Sequence, residues 1–337
     1  MSEHPEGAAR HGDEGLAARA ARRLGRHHPR FVVALVDPGG VRTAAVGVPL
    51  AAEVEIGSVS KGVTGLLFAD ARDRGEVTDA TRLGDVLPLG GSDVAGVTLG
   101  SLAVHRSGLP RLAAGTASLR LTWDLLRHGT NPYGETLDEV LEAARSTPVG
   151  PPRPTYSNLG FMLLGHAVAA AAGTTYAALV RDRIAAPLGL TATSVPARPT
   201  ELGPCAVLGR SRGGRDREAW TGEGLGPAGG IRSTVGDLGR LVASLLDGTA
   251  PGLAALDPVA DLRGSRLRIG AAWMTMTRRD VTLTWHNGGT GGFRSVVALD
   301  RAAGAGVALV SATPRSVEGV GMALLQHAVE EGARRAG

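Results

Sequence analysis

The chain predicts an α/β fold of the α+β kind: one antiparallel sheet built from both chain ends, helices on both of its faces, and an inserted, mostly helical region. Three observations lead there. Two strand-like runs stand near the N-terminus, Phe31 to Val36 and Val41 to Val48, joined by the turn sequence Asp37-Pro38-Gly39-Gly40. Four more strand-like stretches, at 268–276, 280–286, 293–300 and 305–311, crowd the C-terminal part. Between the two groups, apolar residues recur at helical spacing. Strands joined by short turns pair antiparallel, so one sheet collects both groups and the middle of the chain packs against it.

Taken in order, residues 1–13 are polar and predict a frayed N-terminus ahead of a single domain over 14–335. Residues 14–26 alternate Ala, Leu and Arg as an amphipathic helix does. After the first hairpin, Gly57-Ser58 leads into an apolar helix from Val59 to Arg72, with Ser58 at its start. The sheet-forming parts are therefore about 14–75 and 222–335, and the helical region about 76–221. Within that region apolar periodicity marks 98–105, 136–145, 159–172 and 175–186, with proline-rich breaks at 148–154 and 196–204. Gly209 to Gly226, rich in glycine and charge, predicts an exposed loop. Past Gly229-Gly230 a helix runs from Ser233 to Leu246, capped by Ser233 or Thr234 with Asp237 in its first turn. A last helix spans 316–334.

Composition narrows the function classes. The sequence pI of about 9.9 suggests a nucleic-acid partner, but the net charge is only +4. The one dense basic stretch, Arg22 to Arg30, has no interleaved aromatic platform and reads as a solvated face. The single cysteine, Cys205, excludes an intramolecular disulfide and suits a reducing compartment. The first apolar run comes late and is short for a secretory signal. The uncharged stretch from Leu159 to Val180 is interrupted by Gly160, Gly165, His166 and Gly173, and fits two buried helices better than a membrane span. The expectation is a cytoplasmic protein with neither nucleic acid nor membrane as partner, its oligomeric state left open.

Chemistry first shows in one residue. The chain has 36 basic residues, and Lys61 is the only lysine among them. Arginine serves everywhere a surface charge is needed, so a lone lysine suggests a task arginine cannot do. A guanidinium stays charged at any working pH, whereas a buried ammonium can lose its proton. Ser58 stands three positions earlier, at a helix start. The 17 serines make that spacing a chance event about one time in twenty. A hydroxyl and a titratable amine one turn apart are the parts of an activated nucleophile.

Two further motifs matter. Tyr156-Ser157-Asn158 follows a proline-rich run, and tyrosine occurs only three times in the chain. Taken alone, the segment reads first as a loop-to-helix turn with Asn158 as the cap. Trp285-His286-Asn287-Gly288-Gly289 follows a strand, and its glycines allow close backbone approach by a substrate. Alone, it reads as a hairpin turn with a stray histidine. The histidines show no spacing typical of metal ligands.

Together, Ser58-x-x-Lys61, Tyr156-x-Asn158 and His286-x-Gly288 resemble, in order, the motifs of the serine β-lactamase and penicillin-binding-protein superfamily, in particular its class C-like branch. His105-x-Ser107-Gly108-Leu109 and Ala228-Gly229-Gly230-x-x-Ser233-Thr234-x-x-Asp237-Leu238 resemble two more signatures of that branch. The resemblance covers about residues 15–335 and implies a β-lactamase/transpeptidase-like fold. It further implies an acylated nucleophile at Ser58 and a proton-moving pair in Lys61 and Tyr156. Asn158, His286, Gly288 and Gly289 would meet the substrate, with the backbone N–H groups of Ser58 and Gly289 forming the oxyanion hole. His286 stands where β-lactamases have lysine, a position at which peptidases and esterases of the branch can have histidine. That departure favours a small ester or amide as substrate over an antibiotic. No cofactor or metal is implied. Acyl transfer to an amine or alcohol is a close alternative, and a non-catalytic binding protein a distant one. The loop after Pro110, with Trp123, His128 and Tyr133, is expected to line the pocket.

Overall fold

A computed structural model of the chain describes residues 8–113, 130–262, 264, 266–278 and 281–336. Trp123 and His128 lie outside them. In chain order the elements are β1 (Arg10–Gly12), α1 (Glu14–Leu24), β2 (Phe31–Asp37), β3 (Gly40–Val46), β4 (Val54–Glu55), α2 (Ser60–Asp73), α3 (Leu83–Val86), α4 (Leu99–Ala103), α5 (Leu137–Arg145) and α6 (Asn158–Ala171). There follow α7 (Tyr176–Val180), α8 (Gly226–Gly229), β5 (Arg232–Ser233), α9 (Val235–Asp247), β6 (Ala260–Asp261), β7 (Leu267–Ile269), β8 (Met274–Arg278), β9 (Val281–Gly289), β10 (Arg294–Asp300), β11 (Ala305–Ser311) and α10 (Glu318–Ala336).

Nine strands form one antiparallel sheet in the order β1-β3-β2-β11-β10-β9-β8-β7-β6. The two chain ends meet in its middle, where β2 pairs with β11. Both faces are covered. Phe31, Val33 and Leu35 point to one core with Leu16, Leu324 and Leu325 of α1 and α10. Val32, Ala34 and Val36 point to the other, under α9 and the helical region. Burial on both sides is why β2 reads as an unbroken apolar run instead of an alternating one.

Three expectations are corrected. The polar stretch through residue 13 is not frayed throughout: Arg10–Gly12 pairs with Ala44–Val46 as an edge strand. Backbone hydrogen bonds suffice for that pairing, which leaves no apolar signal. The stretch 268–276 is not one strand, because Gly270 to Trp273 turns the chain into the β7–β8 hairpin. That turn carries Ala272 at φ 68° and buries Trp273 completely. Thirdly, Gly209 to Gly226 is exposed only in part. Its second half turns inward, where the Trp220 backbone N–H donates to Glu55 Oε1 at 2.9 Å.

Helix α2 is buried all round, which its sequence makes possible with two small residues. A Cβ at Gly62 would lie 2.8 Å from the Trp273 indole, and one at Gly65 would lie 2.1 Å from the Ala271 carbonyl oxygen. The second contact is with backbone, which cannot move aside cheaply. Among the described residues no single helix is long and apolar enough to cross a membrane, and α6 and its successor bend by 78°.

Gly65→Ala should therefore lower stability by about 2 kcal/mol, although alanine is the better helix former by about 1 kcal/mol. Urea unfolding would measure it. An unchanged or raised midpoint would show that α2 is not held this close.

Candidate active site

The turn that carries Ser58 and the end of β9 are built against each other. Ser58 lies in the 3-10 turn Gly57–Val59 that runs into α2. Gly57 sits at φ 52°, and a Cβ there would meet the Gly289 nitrogen at 2.7 Å. A Cβ on Gly288 would meet the Ile56 oxygen at 2.3 Å and the Ser58 nitrogen at 2.8 Å. Only glycine lets the two backbones approach so closely. Ser295 Oγ, across the strand from Gly288, locks the approach by donating to the Ile56 carbonyl at 2.6 Å.

Lys61 rises from the first turn of α2 and is completely buried, at 0% exposure. Its Nζ lies 3.3 Å from Ser58 Oγ and donates to the Ala228 carbonyl at 2.5 Å. Burial holds its pKa well below 10.5, and the nearby Arg111 charge lowers it further. The ammonium finds aromatic faces instead of a carboxylate: Nζ is 4.9 Å from the centre of the Tyr156 ring and 5.8 Å from that of Phe161. The arrangement favours a neutral amine, which can donate to Ala228 and accept from the Ser58 hydroxyl together.

Tyr156 is at the mouth, with 36% of its surface open. Burial pushes its hydroxyl up to about 12, although the Ser58 side chain and the Arg111 charge draw it downward. The resting residue is a phenol. The electrostatics do not favour a phenolate at Tyr156 beside an ammonium at Lys61. The cap of α6 is Ser157, not Asn158: Ser157 Oγ accepts from the Gly160 N–H at 2.9 Å and donates to the Pro110 carbonyl at 2.6 Å. This frees the Asn158 amide to face the cleft, where Nδ2 reaches the Tyr133 hydroxyl at 3.4 Å. Its buried Oδ1 has no partner among the described residues.

His286 is buried beside these groups, and burial, then the Lys61 charge, lowers its pKa to about 3. Its Nδ1 lies 2.7 Å from the Asn287 carbonyl, so this nitrogen carries the proton and Nε2 the lone pair. The histidine does not stand in for a lysine's charge. With Tyr156 and His105 it lines a cavity of about 220 Å³ walled by Leu267, Ile269 and Met274.

Two supporting groups escaped the sequence reading of single residues. His105, at the strained φ of 56°, stacks 4.6 Å from Tyr156 and 4.7 Å from Phe161. Its Nδ1 accepts from the Ser157 N–H at 3.3 Å, and burial keeps the ring neutral. Glu55, three residues before the nucleophile, pairs with the buried Arg232 at 3.1 Å. Burial raises the pKa of the Glu55 carboxyl, and Thr290, next to Gly289, lies close enough to lower it. Among the described residues no three His, Cys, Asp or Glu side chains form a metal-ligand set.

Holding Lys61 in this pocket costs stability. Unfolded, the side chain is protonated up to about 10.5; folded, it either gives up that proton or keeps a charge without an acid partner. The cost is present below pH 10.5 and fades as the pH rises to that value. Lys61→Met should therefore raise stability by about 1 kcal/mol or more at neutral pH, net of the unpaired Ala228 carbonyl, while abolishing any Ser58 reactivity. A lowered melting temperature at pH 7 would contradict this.

Comparison with known proteins agrees with the geometry. The family model described as Beta-lactamase matches residues 16–330. D-alanyl-D-alanine-carboxypeptidase/endopeptidase AmpH of Escherichia coli K12 is 30% identical over 199 residues, 57% of this chain and 49% of that protein. The chain thus spans about half the length of the curated relative it matches. Among solved structures, a class C β-lactamase from Rhodobacter sphaeroides superposes with a TM-score of 0.75 at 20% identity, covering 95% of this chain and 99% of that one. A β-lactamase/D-alanine carboxypeptidase from Pseudomonas syringae gives 0.78 at 15% identity, covering 94% and 98%. The fold is the β-lactamase/transpeptidase-like one, and the chain belongs to the beta-lactamase family.

Proposed function

We propose that the protein is a serine hydrolase that cleaves a small ester or amide through an acyl-enzyme on Ser58. The observation that carries this reading is the approach of Ser58 Oγ to within 3.3 Å of a fully buried amine whose pKa is held well below 10.5. Family membership supports it, and so do the two backbone nitrogens, Ser58 and Gly289, that the glycine contacts bring to one place.

The steps follow from the protonation states. Ser58 Oγ attacks the carbonyl as its proton passes to the neutral Lys61 amine. The oxyanion settles against the Ser58 and Gly289 N–H groups. The C–O or C–N bond breaks, and the leaving group departs with a proton from the Tyr156 phenol, which Lys61 replenishes. Water then attacks the acyl-enzyme by the reverse proton path. Water is the acceptor adopted here because Tyr156 is open to solvent over 36% of its surface. A silent binding protein would have no use for a lysine buried at such cost.

Covalent labelling tests the nucleophile. A fluorophosphonate or a chromogenic acyl ester should add one adduct mass to Ser58, seen by intact mass spectrometry. An unlabelled wild-type chain, or full labelling of Ser58→Ala, would sink the assignment. Lys61→Arg keeps a charge but cannot take the proton, and should slow acylation by a factor of about 10² to 10⁴; near-normal rates would remove Lys61 from the proton path.

The pH profile tests the direction of the Lys61 shift. Below its folded pKa the amine is charged and cannot accept, so kcat/KM should rise with pH through that value. The rise should fall below the ordinary lysine value of 10.5, and activity should persist until Tyr156 ionises near 12. A rise centred on the unperturbed lysine value would contradict it.

A further inference from the structure

Of the chain's three tyrosines, Tyr133 and Tyr156 stand at the cleft, and Tyr176 is buried behind it at the start of α7. The Tyr176 hydroxyl lies 2.7 Å from Thr64 Oγ1, one turn of α2 beyond Lys61. Thr64 Oγ1 in turn lies 2.7 Å from the Pro227 carbonyl oxygen and 3.2 Å from that of Ser60. A threonine hydroxyl has one proton to give, and the nearer carbonyl takes it. Tyr176 is then the donor to Thr64, and among the described residues its hydroxyl has no other hydrogen-bond partner. Burial raises its pKa, so it remains a phenol and keeps the proton it donates.

The end of this relay is a helix terminus that needs donors. Helix α8 lasts a single turn, Gly226–Gly229, and the last carbonyls of a helix have no partner within it. Among the described residues no backbone N–H meets the Pro227 or the Ala228 carbonyl. Side chains of α2 meet both: Thr64 donates to Pro227, and Lys61 Nζ to Ala228 at 2.5 Å. Ser60 holds the exit from the turn, its Oγ accepting the Ile231 N–H at 3.2 Å. Ser60, Lys61 and Thr64 are all at 0% exposure, so water cannot take over any of these bonds. From the other side α6 presses on the same turn, where a Cβ at Gly165 would lie 2.3 Å from the Pro227 ring. The carbonyl that Lys61 meets thus belongs to the peptide next to the one that Thr64 holds. A neutral amine has two hydrogens and one lone pair. Fixing one hydrogen on Ala228 sets where the lone pair points, and Ser58 Oγ stands 3.3 Å away.

We propose that Thr64 and Tyr176 are positioning residues of the Ser58 reaction: the relay from phenol to hydroxyl to Pro227 carbonyl fixes the adjoining Ala228 carbonyl, which aims the Lys61 amine at Ser58. Both side chains are buried away from the cleft and act through Lys61 alone. The proposal rests on the acyl-enzyme reading above and adds to it the groups that hold the base in place.

The lone lysine makes the test direct. Lysine isotopically labelled at Cε and Nζ gives the full chain a single lysine NMR signal, that of Lys61. In wild type this signal should titrate with a midpoint below 10.5. Thr64→Val keeps the side-chain shape but removes the hydroxyl, and should move both the signal and its midpoint. Tyr176→Phe removes only the far donor, so it should move them less, and add nothing further on top of Thr64→Val. Thr64→Ser restores the hydroxyl and should return the wild-type signal. With a chromogenic acyl ester, Thr64→Val should lower kcat about tenfold, the size of one buried hydrogen bond, and leave KM unchanged. Tyr176→Phe should lower kcat by a smaller factor. A hydroxyl that merely packs would lower the melting temperature and leave the Lys61 signal in place. A signal unmoved by both Thr64→Val and Tyr176→Phe overturns the proposal, as does a wild-type kcat in a Thr64→Val protein whose signal has moved. If Thr64→Val does not fold, Tyr176→Phe carries both readouts. The NMR measurement needs no substrate. A moved signal in a chain that turns over no ester would uphold the positioning of Lys61 and sink only the hydrolase reading.

Discussion

Everything in this site depends on an amine kept in the interior without an acid beside it. An ion pair would have made burial of Lys61 easier, but it would have raised the lysine's pKa and left the residue charged. The protein instead surrounds Nζ with aromatic faces, one carbonyl and the Ser58 hydroxyl. The cost is offset by the packing of α2, whose glycines admit the Trp273 ring on one turn and the Ala271 backbone on the next. The setting of Lys61 thus draws on core packing within about one turn of the helix.

The same logic explains why the sheet is assembled from both chain ends. Gly57 and Ser58 belong to the N-terminal part and Gly288 and Gly289 to the C-terminal part, yet their backbones approach closely. Central pairing of β2 with β11 brings the two parts into one rigid body. The Glu55–Arg232 pair and the Trp220 backbone N–H on the same carboxylate then set the local register. A buried ion pair of this kind adds little net stability against a well-packed apolar substitute. Its value here is geometric, since moving either partner would shift the Ser58 turn against the end of β9.

Much of this was legible in the residues, for reasons that differ by element. The hairpin over 31–46 and strands 294–300 and 305–311 announce themselves because both sheet faces are covered, leaving long apolar runs. Lys61 stands out only because arginine fills every other basic position. The edge strand at Arg10–Gly12 could not be seen, since its pairing is backbone alone. Nor could the turn at Gly270 to Trp273, which exists to pack against α2 and Ala103. The capping residue was misplaced by one: Asn158 has the right chemistry, but Ser157 has the right geometry. His105 was visible within a signature, whereas the left-handed backbone that stacks it on Tyr156 was not. Arg111 carried no sequence signal, being one arginine among many.

That last omission shows how the site divides its charges. Its two histidines are too deeply buried to ionise in the working range, so neither can answer a substrate's charge. Lys61 cannot both hold an anion and take a proton, because each task needs the opposite protonation state. A cation that lowers the amine's pKa without binding it must keep its own charge and stand off from Ser58. Arginine meets the first condition by its chemistry. Arg111 meets the second through its position across the Tyr156 ring, near enough to depress Lys61 yet not bonded to it. In a chain that uses arginine for every other basic side chain, the one lysine stands where burial presses its charge off.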